Sequence, residues 1–288
     1  MTKSTLMHLR IPFSYFLLPV FLFAASLADD INWIRFTVAF IVIHFLLYPA
    51  SNAFNSYYDR DTGSIGGLKN PPPVDRELLS VSLIIDCLAV ICGFILSWQF
   101  AGAVFFYGIC SKIYSHDKTR LKKKPILSWL GTGIVQGGFI FLVAYFAIQG
   151  KSLFFTPPTH IIYASVLASL FMLGFYPLTQ IYQHEEDKKH GDTTISMLLG
   201  IRGTFIFSGL ILLVSSIGFC WFFASLGRPV LSLLFVVLQL HAAGYLVHWF
   251  MLAIKNEKNA NYWHSMRMNI ISATGMNLFC VLLLVIRG

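Results

Sequence analysis

Charge is scarce in this sequence. Asp and Glu together number 13 in 288 residues, and all charged side chains amount to 12% while 56% of residues are hydrophobic. A soluble domain carries about 25% charged residues, so the balance excludes a water-soluble globule and places the chain in lipid. Long polar stretches are missing too. The longest connections between apolar runs are 58–77 and 183–203, which leaves no room for a soluble domain, and residues 1–288 read as a single membrane-embedded domain. Cysteine is rare: Cys87, Cys92, Cys110, Cys220 and Cys280 all fall in apolar runs without metal-ligand spacing. They form no disulfide framework and no thiolate metal centre, and read as small core residues. Strict alternation of apolar and polar residues, the mark of a membrane barrel, is absent from those runs.

What remains is a series of apolar runs near the roughly 20 residues needed to cross a bilayer. Nine are expected as spans, at about 11–28, 34–57, 78–98, 100–115, 125–148, 159–182, 204–226, 229–253 and 267–286. Backbone groups in hydrocarbon must be satisfied within the segment, so each is predicted to be a helix. The fold class is all-α, a polytopic membrane bundle. The first run shows no cleavage signature and is read as a retained helix, not a removed signal peptide. The net charge of +8 would suit nucleic acid, but the placement of the cations decides against it. With the N-terminus inside, only Arg35, Lys151, Arg228 and Arg287 of the 21 Lys and Arg fall on the far face. That is the positive-inside pattern of an N-in, C-out protein contacting anionic lipid, and no nucleic-acid partner is expected. Short termini and compact loops suggest a bacterial inner membrane.

Most carboxylates gather in two segments on the expected cytoplasmic face. One runs Asn52-Ala53-Phe54-Asn55-Ser56-Tyr57-Tyr58-Asp59-Arg60-Asp61-Thr62-Gly63, the other Gln180-Ile181-Tyr182-Gln183-His184-Glu185-Glu186-Asp187-Lys188-Lys189-His190-Gly191-Asp192-Thr193-Thr194. Each follows an apolar run and places an amide four residues before an acid, Asn55 before Asp59 and Gln183 before Asp187. Residues four apart share a helix face, so each pair can address one ion. Oxygen-only donors suit a hard cation such as Mg²⁺, which keeps positions open for phosphate oxygens. Asn55, Asp59, Gln183 and Asp187 are therefore the candidate metal ligands. Asp61, Glu185 and Asp192 serve equally well as solvated loop charges.

Between the two segments lies the most basic stretch, Lys112 to Lys124. Lys118 and Arg120 are candidates for neutralising a leaving diphosphate, whereas Lys122, Lys123 and Lys124 are expected to touch lipid headgroups. Tyr57, Tyr58, Tyr114, Tyr176 and Tyr182 adjoin the motifs, and their ring faces can meet a positive charge. Asp86 and His44 sit inside predicted spans and read as packing groups. Gln136, His241 and His248 either contact an acceptor or join helices. Gly131, Gly133, Gly137 and Gly138 are expected to permit close helix approach.

The ordered combination of Asn55-x-x-x-Asp59, Tyr114-Ser115…Arg120-Leu121-Lys122 and Asp187-x-x-x-Gly191-Asp192-x-Thr194 across nine apolar runs resembles the UbiA superfamily of intramembrane prenyltransferases. The resemblance covers essentially the whole chain. It implies a bundle around a central cavity, a Mg²⁺-bound isoprenyl diphosphate donor, and a small aromatic or phenolic acceptor. It further implies catalytic roles for Asp59, Asp187, Lys118 and Arg120, and substrate contacts for Asn55, Tyr58, Gln183, Tyr114 and Tyr182. Two departures stand out. The family commonly has an Asp where this chain has Gly63, and acids where it has Gln180 and Gln183. The competing expectations are a catalytically altered or silent member acting as a binding protein, and a polytopic transporter.

Overall fold

The computed structural model describes residues 1–287, with side chains through residue 286. The Arg287 side chain, counted above on the far face, lies outside the described residues. Helices dominate throughout, as lipid burial requires. They are α1 (Lys3–Phe16) and α2 (Leu18–Leu27), meeting at a 44° bend, and α3 (Trp33–Asp59). Next come α4 (Glu77–Gly93) and α5 (Trp98–Ser115). They are followed by α6 (Pro125–Gln149), α7 (Thr159–Gln180), the short α8 (His184–Lys189), α9 (Ile195–Ser225), α10 (Pro229–Lys255) and α11 (Tyr262–Arg287). The protein is an all-α, multi-pass integral membrane bundle.

The span count differs from the expected nine. Among the described residues, six helices (α3, α6, α7, α9, α10 and α11) are long and apolar enough to cross, or seven if the bent pair α1 and α2 is one span. Two expected spans fall short for local reasons. α4 has only 17 residues, and α5 opens on Trp98-Gln99 and carries Lys112 near its end. Lys112 is paired there with Asp86 of α4, so Asp86, expected inside a span, joins two helices. His44 likewise packs, against the rings of Phe21, Phe40 and Tyr48.

Proline and glycine shape the helices that form the site. Pro49 brings no N–H to α3, and the preceding turn loosens into a π segment, Val42–Leu47, closed by Tyr48 N donating to Ile43 O. Pro177 similarly frees the carbonyl of Leu173 in α7. The Trp129 indole of α6 donates to it at 2.9 Å, which satisfies an otherwise orphaned group. The π segment of α6, Ile134–Phe139, lies against α7 through glycines. A Cβ on Gly137 would come within 2.5 Å of Ser169 Cα, and one on Gly138 within 2.8 Å of the Ser165 carbonyl oxygen. At Gly133 the obstacle would be the Leu173 side chain, whereas a Cβ on Gly131 would meet Leu121 Cδ2 at 4.0 Å, an ordinary contact, so Gly131 makes no close approach.

An aromatic layer seals the end of the bundle remote from the acidic segments. Phe23 of α2 meets Phe141 of α6 and Phe219 of α9, and Phe235 of α10 stacks on Phe219 and edges Phe279 of α11. Such paired rings add stabilisation beyond their buried area. The acidic end is left open over a cavity. Outside, α9 and α10 expose Leu210, Ile217, Trp221, Leu233 and Leu240, an apolar belt suited to lipid.

Candidate functional site

Each acidic segment starts where a helix stops. α3 ends at Asp59, and Arg60 enters the left-handed region (φ 49°). Its last turns hold Asn55 and Asp59 on one face, with Asn55 Nδ2 donating to Asp59 Oδ2 at 2.7 Å and to Ser115 Oγ at 3.2 Å. α7 ends at Gln180, and α8 presents Asp187. Gly191 then turns the chain at φ 65°, a conformation glycine adopts without steric cost. This brings Asp192 back so that its N–H donates to Asp187 O at 2.9 Å.

Two cations tie the segments together. Lys122 Nζ lies 2.7 Å from both Asp59 Oδ1 and Asp192 Oδ2. Arg120 clamps Asp192 from two sides, Nε to Oδ1 at 2.8 Å and Nη2 to Oδ2 at 2.9 Å, and its Nη2 stands 3.5 Å from Asp59. All four side chains are buried. At the rim, Glu186 Oε1 accepts from Thr62 N and Oγ1 at 2.9 and 3.0 Å. There Asp61, Glu186 and His190 bring their ligand atoms within 4.8 Å of one another.

Asn55, Asp59, Tyr114, Tyr182, Gln183 and Asp187 all line one cavity of about 470 Å³. Tyr176 lines it too, with its hydroxyl bonded to that of Tyr114. Lys118 and Tyr58 are not brought there. Lys118 is exposed on the loop, and the Tyr58 ring lies tilted against His116, with ring centres 4.8 Å apart. Glu185 is exposed, while Glu186 faces Thr62 and Lys189, so neither replaces an acid at Gln180 or Gln183. Gln136 lines the cavity, whereas His241 and His248 are exposed.

Two buried residues, Lys122 and Arg10, were read otherwise from the sequence, and Asp192, left open there between a site acid and a solvated charge, is buried. Lys122, expected at the headgroups, sits 5% exposed between Asp59 and Asp192. Asp192 is as buried as a core residue. Arg10, counted only as a topology signal, lines the cavity and donates to Asn52 O at 3.0 Å and Asn55 Oδ1 at 3.4 Å, and its Nε is buried without a hydrogen-bond partner among the described residues. Position in a Lys-rich run concealed Lys122. The left-handed Arg120 (φ 34°) that opens the turn Leu121–Lys123 swings Lys122 inward and leaves Lys123 and Lys124 exposed.

The charges divide in a way that matters chemically. Burial alone would push Asp192 up, but hydrogen bonds from Arg120 and Lys122 hold it below the usual carboxylate range. Burial pushes Asp187 up to about 7, with Lys122 opposing and Asp192, Asp61 and Asp59 adding to the rise. Asp61 is pushed up to about 6 by burial and by Asp59, against Lys122 and His190. The two cations thus neutralise Asp59 and Asp192 and leave Asp61 and Asp187 short of positive charge. Buried Gln180 adds a side-chain oxygen on the cavity with no partner among the described residues. Carboxylates short of counter-charge and the free Gln180 amide oxygen around one mouth fit a hard divalent cation.

Comparison with known proteins follows the same line. A family model described as the UbiA prenyltransferase family matches residues 16–271. No curated protein matches the chain. Among solved structures, a UbiA homologue from Archaeoglobus fulgidus bound to GPP and Mg²⁺ superposes with a TM-score of 0.67 at 18% identity, covering 98% of this chain and 99% of that one. Its complex with DMAPP and Mg²⁺ gives the same values. The apo structure of a UbiA homologue from Aeropyrum pernix K1 gives 0.60 at 16% identity, with 96% and 99% covered. At these identities the likeness is one of fold.

Proposed function

The chain belongs to the UbiA prenyltransferase family, and from that premise we propose that it transfers a prenyl group from an isoprenyl diphosphate to a small aromatic or phenolic acceptor within the membrane. One observation carries the proposal: the two amide-and-acid segments line a single cavity and are bridged by Lys122. A lone acidic loop would serve solubility, but two converging on one buried lysine make a receptacle for a metal-bound polyanion.

Asn55, Asp59, Gln183 and Asp187, with Asp61 beside them, would hold Mg²⁺. When bound, the ion supplies Lewis acidity toward the diphosphate and counter-charge for the surplus carboxylates. Lys122, released from one carboxylate, donates to a leaving oxygen. Arg10 offers its unpartnered Nε to the diphosphate from the N-terminal side, and Arg120 holds Asp192 and so keeps Lys122 in place. The allylic carbon–oxygen bond breaks with its electron pair going to the diphosphate. The acceptor's nucleophilic atom forms the new bond to the allylic carbon, and its proton passes to the departing diphosphate. Tyr114, Tyr176 and Tyr182 place aromatic faces around the reacting carbon, and the sealed far end keeps water from capturing it.

The same reading takes the bent pair of α1 and α2, together with α4 and α5, as spans. That completes a nine-span bundle, N-in and C-out, with its active site near the cytoplasmic face of a bacterial inner membrane. The test is product formation by purified protein with a panel of prenyl diphosphates and Mg²⁺. Asp59→Ala and Asp187→Ala are each expected to lower turnover at least a hundredfold, the scale on which removing one electrostatic group acts. Unchanged product formation in both variants contradicts the assignment.

A further inference from the structure

From residue 193 onward the chain carries one acid, Glu257, against Arg202, Arg228, Lys255, Lys258, Arg267 and Arg287. Lys255, Lys258 and Arg267 lie where α10 turns into α11. That corner is at the same end of the bundle as the acidic mouth. Lys69, from the loop after α3, stands 4.8 Å over the Trp263 ring, and Ser265 Oγ donates to Leu178 O, close to the end of α7, at 3.1 Å. None of Lys69, Lys255, Lys258 and Arg267 makes an ion pair among the described residues.

Arg267 differs from the others in its surroundings. Helix periodicity sets it on one stripe of α11 with Trp263, Ile270, Leu278 and Val281. The stripe faces out of the bundle, for Trp263 is 61%, Ile270 52% and Leu278 50% exposed, and Arg267 is exposed with them. It lies about 7 Å along the axis from the helix start. A guanidinium is costly in hydrocarbon, so the stem follows the apolar surface and the charged head reaches the headgroup layer. Oriented polar groups lie beside it. The Tyr245 hydroxyl of α10 and His264 Nδ1 share a hydrogen bond of 2.7 Å, and the His264 ring lies nearly parallel to that of buried Trp249, at 13°. Trp249 is fixed in turn by its indole, which donates to Asn259 O at 2.7 Å. Arg267 is within electrostatic range of Tyr245 and His264, and exposed His248 within range of His264. Tyr245 uses Nδ1 and leaves Nε2 of His264 for another partner.

We infer that this corner of α10 and α11 binds an anionic phospholipid, with its phosphate on Arg267 and His264 and its acyl chains along the exposed α11 stripe. Charge complementarity selects the occupant. Cations with no paired acid call for a ligand of net negative charge, whereas a zwitterionic headgroup brings a cation of its own. A second copy of this chain packed here about a two-fold axis would set the same cationic corner against itself. Free phosphate supplies the charge but leaves the apolar stripe uncovered. The inference is independent of the prenyl-transfer reading and holds for a silent member of the family as well.

The test is binding of dioleoyl phosphatidylglycerol and dioleoyl phosphatidylcholine to the full chain in detergent, counted by native mass spectrometry. The first phosphatidylglycerol is expected to bind at least about fivefold more tightly than phosphatidylcholine, the effect of one basic side chain near a membrane surface. Arg267→Gln is expected to weaken phosphatidylglycerol about fivefold and to leave phosphatidylcholine within about twofold. Lys3→Gln removes an exposed cation at the start of α1 and should leave both lipids within about twofold, which separates a built site from general attraction to anionic membranes. A second measurement needs no change at Arg267. Brominated phosphatidylglycerol should quench Trp263 emission, taken as the difference between the parent and Trp263→Phe, more strongly than brominated phosphatidylcholine does. Equal binding or equal quenching by the two lipids overturns the inference. So does phosphatidylglycerol affinity that is unchanged in Arg267→Gln or falls as far in Lys3→Gln, and so does glycerol 1-phosphate binding as tightly as the lipid.

Discussion

Lys118 and Lys122 show how much a single backbone conformation decides. They lie four residues apart in one basic stretch, yet one is exposed and the other is buried between two carboxylates. The difference is set by the left-handed Arg120, and nothing in a run of lysines announces it. The motif acids and amides were legible because acids are rare in a lipid-embedded chain and the four-residue spacing has a direct geometric meaning. Asp187 supports a prediction at this scale. Its carboxyl is raised to about 7, chiefly by burial, so in metal-free protein below that pH it holds a proton when folded that it gives up when unfolded. A raised acid contributes its full stability only below the unfolded value and loses it as pH climbs through the folded one. Asp187→Asn should therefore stabilise the metal-free protein by an amount that grows between pH 5 and pH 7 and then levels, reaching on the order of 1–2 kcal/mol after allowance for solvent screening. Thermal unfolding in detergent with a chelator, at pH 5 and pH 8, measures it. A gain that is larger at pH 5 contradicts the sign.

Among the elements, the apolar runs located all the major helices, because backbone satisfaction in hydrocarbon leaves no other solution. Their interior irregularities were hidden. Pro49 and Pro177 signal local breaks, but the π segments and the partner of the freed Leu173 carbonyl depend on contacts between helices. The glycines of α6 were legible as close-approach positions at 133, 137 and 138, and only Gly131 differs. Trp129→Phe keeps an aromatic ring and removes the indole donor. It should lower stability by about 1–3 kcal/mol by leaving the Leu173 carbonyl unsatisfied, read as a drop in the midpoint of thermal unfolding. An unchanged midpoint would mean that α7 resolves its proline break without α6.

For the molecule as a whole, the bundle has an apolar belt, a far end closed by packed rings, and a near end where two loops and a basic turn enclose charge over a cavity. That asymmetry suits chemistry on a molecule with a charged head and a long apolar tail, whose head stays at the water-facing mouth while the tail enters the bundle. Asp61 and Asp187, whose ionisation burial and neighbouring carboxylates oppose, gain a counter-charge when the head arrives with a divalent cation. The most direct measurement is the affinity of the purified protein for geranyl diphosphate with Mg²⁺, with chelator, and in Asp187→Ala with Mg²⁺. The account predicts binding that needs Mg²⁺ and falls at least tenfold in the variant, since a coordinating carboxylate and its charge are lost. Equal affinity in all three conditions would contradict it.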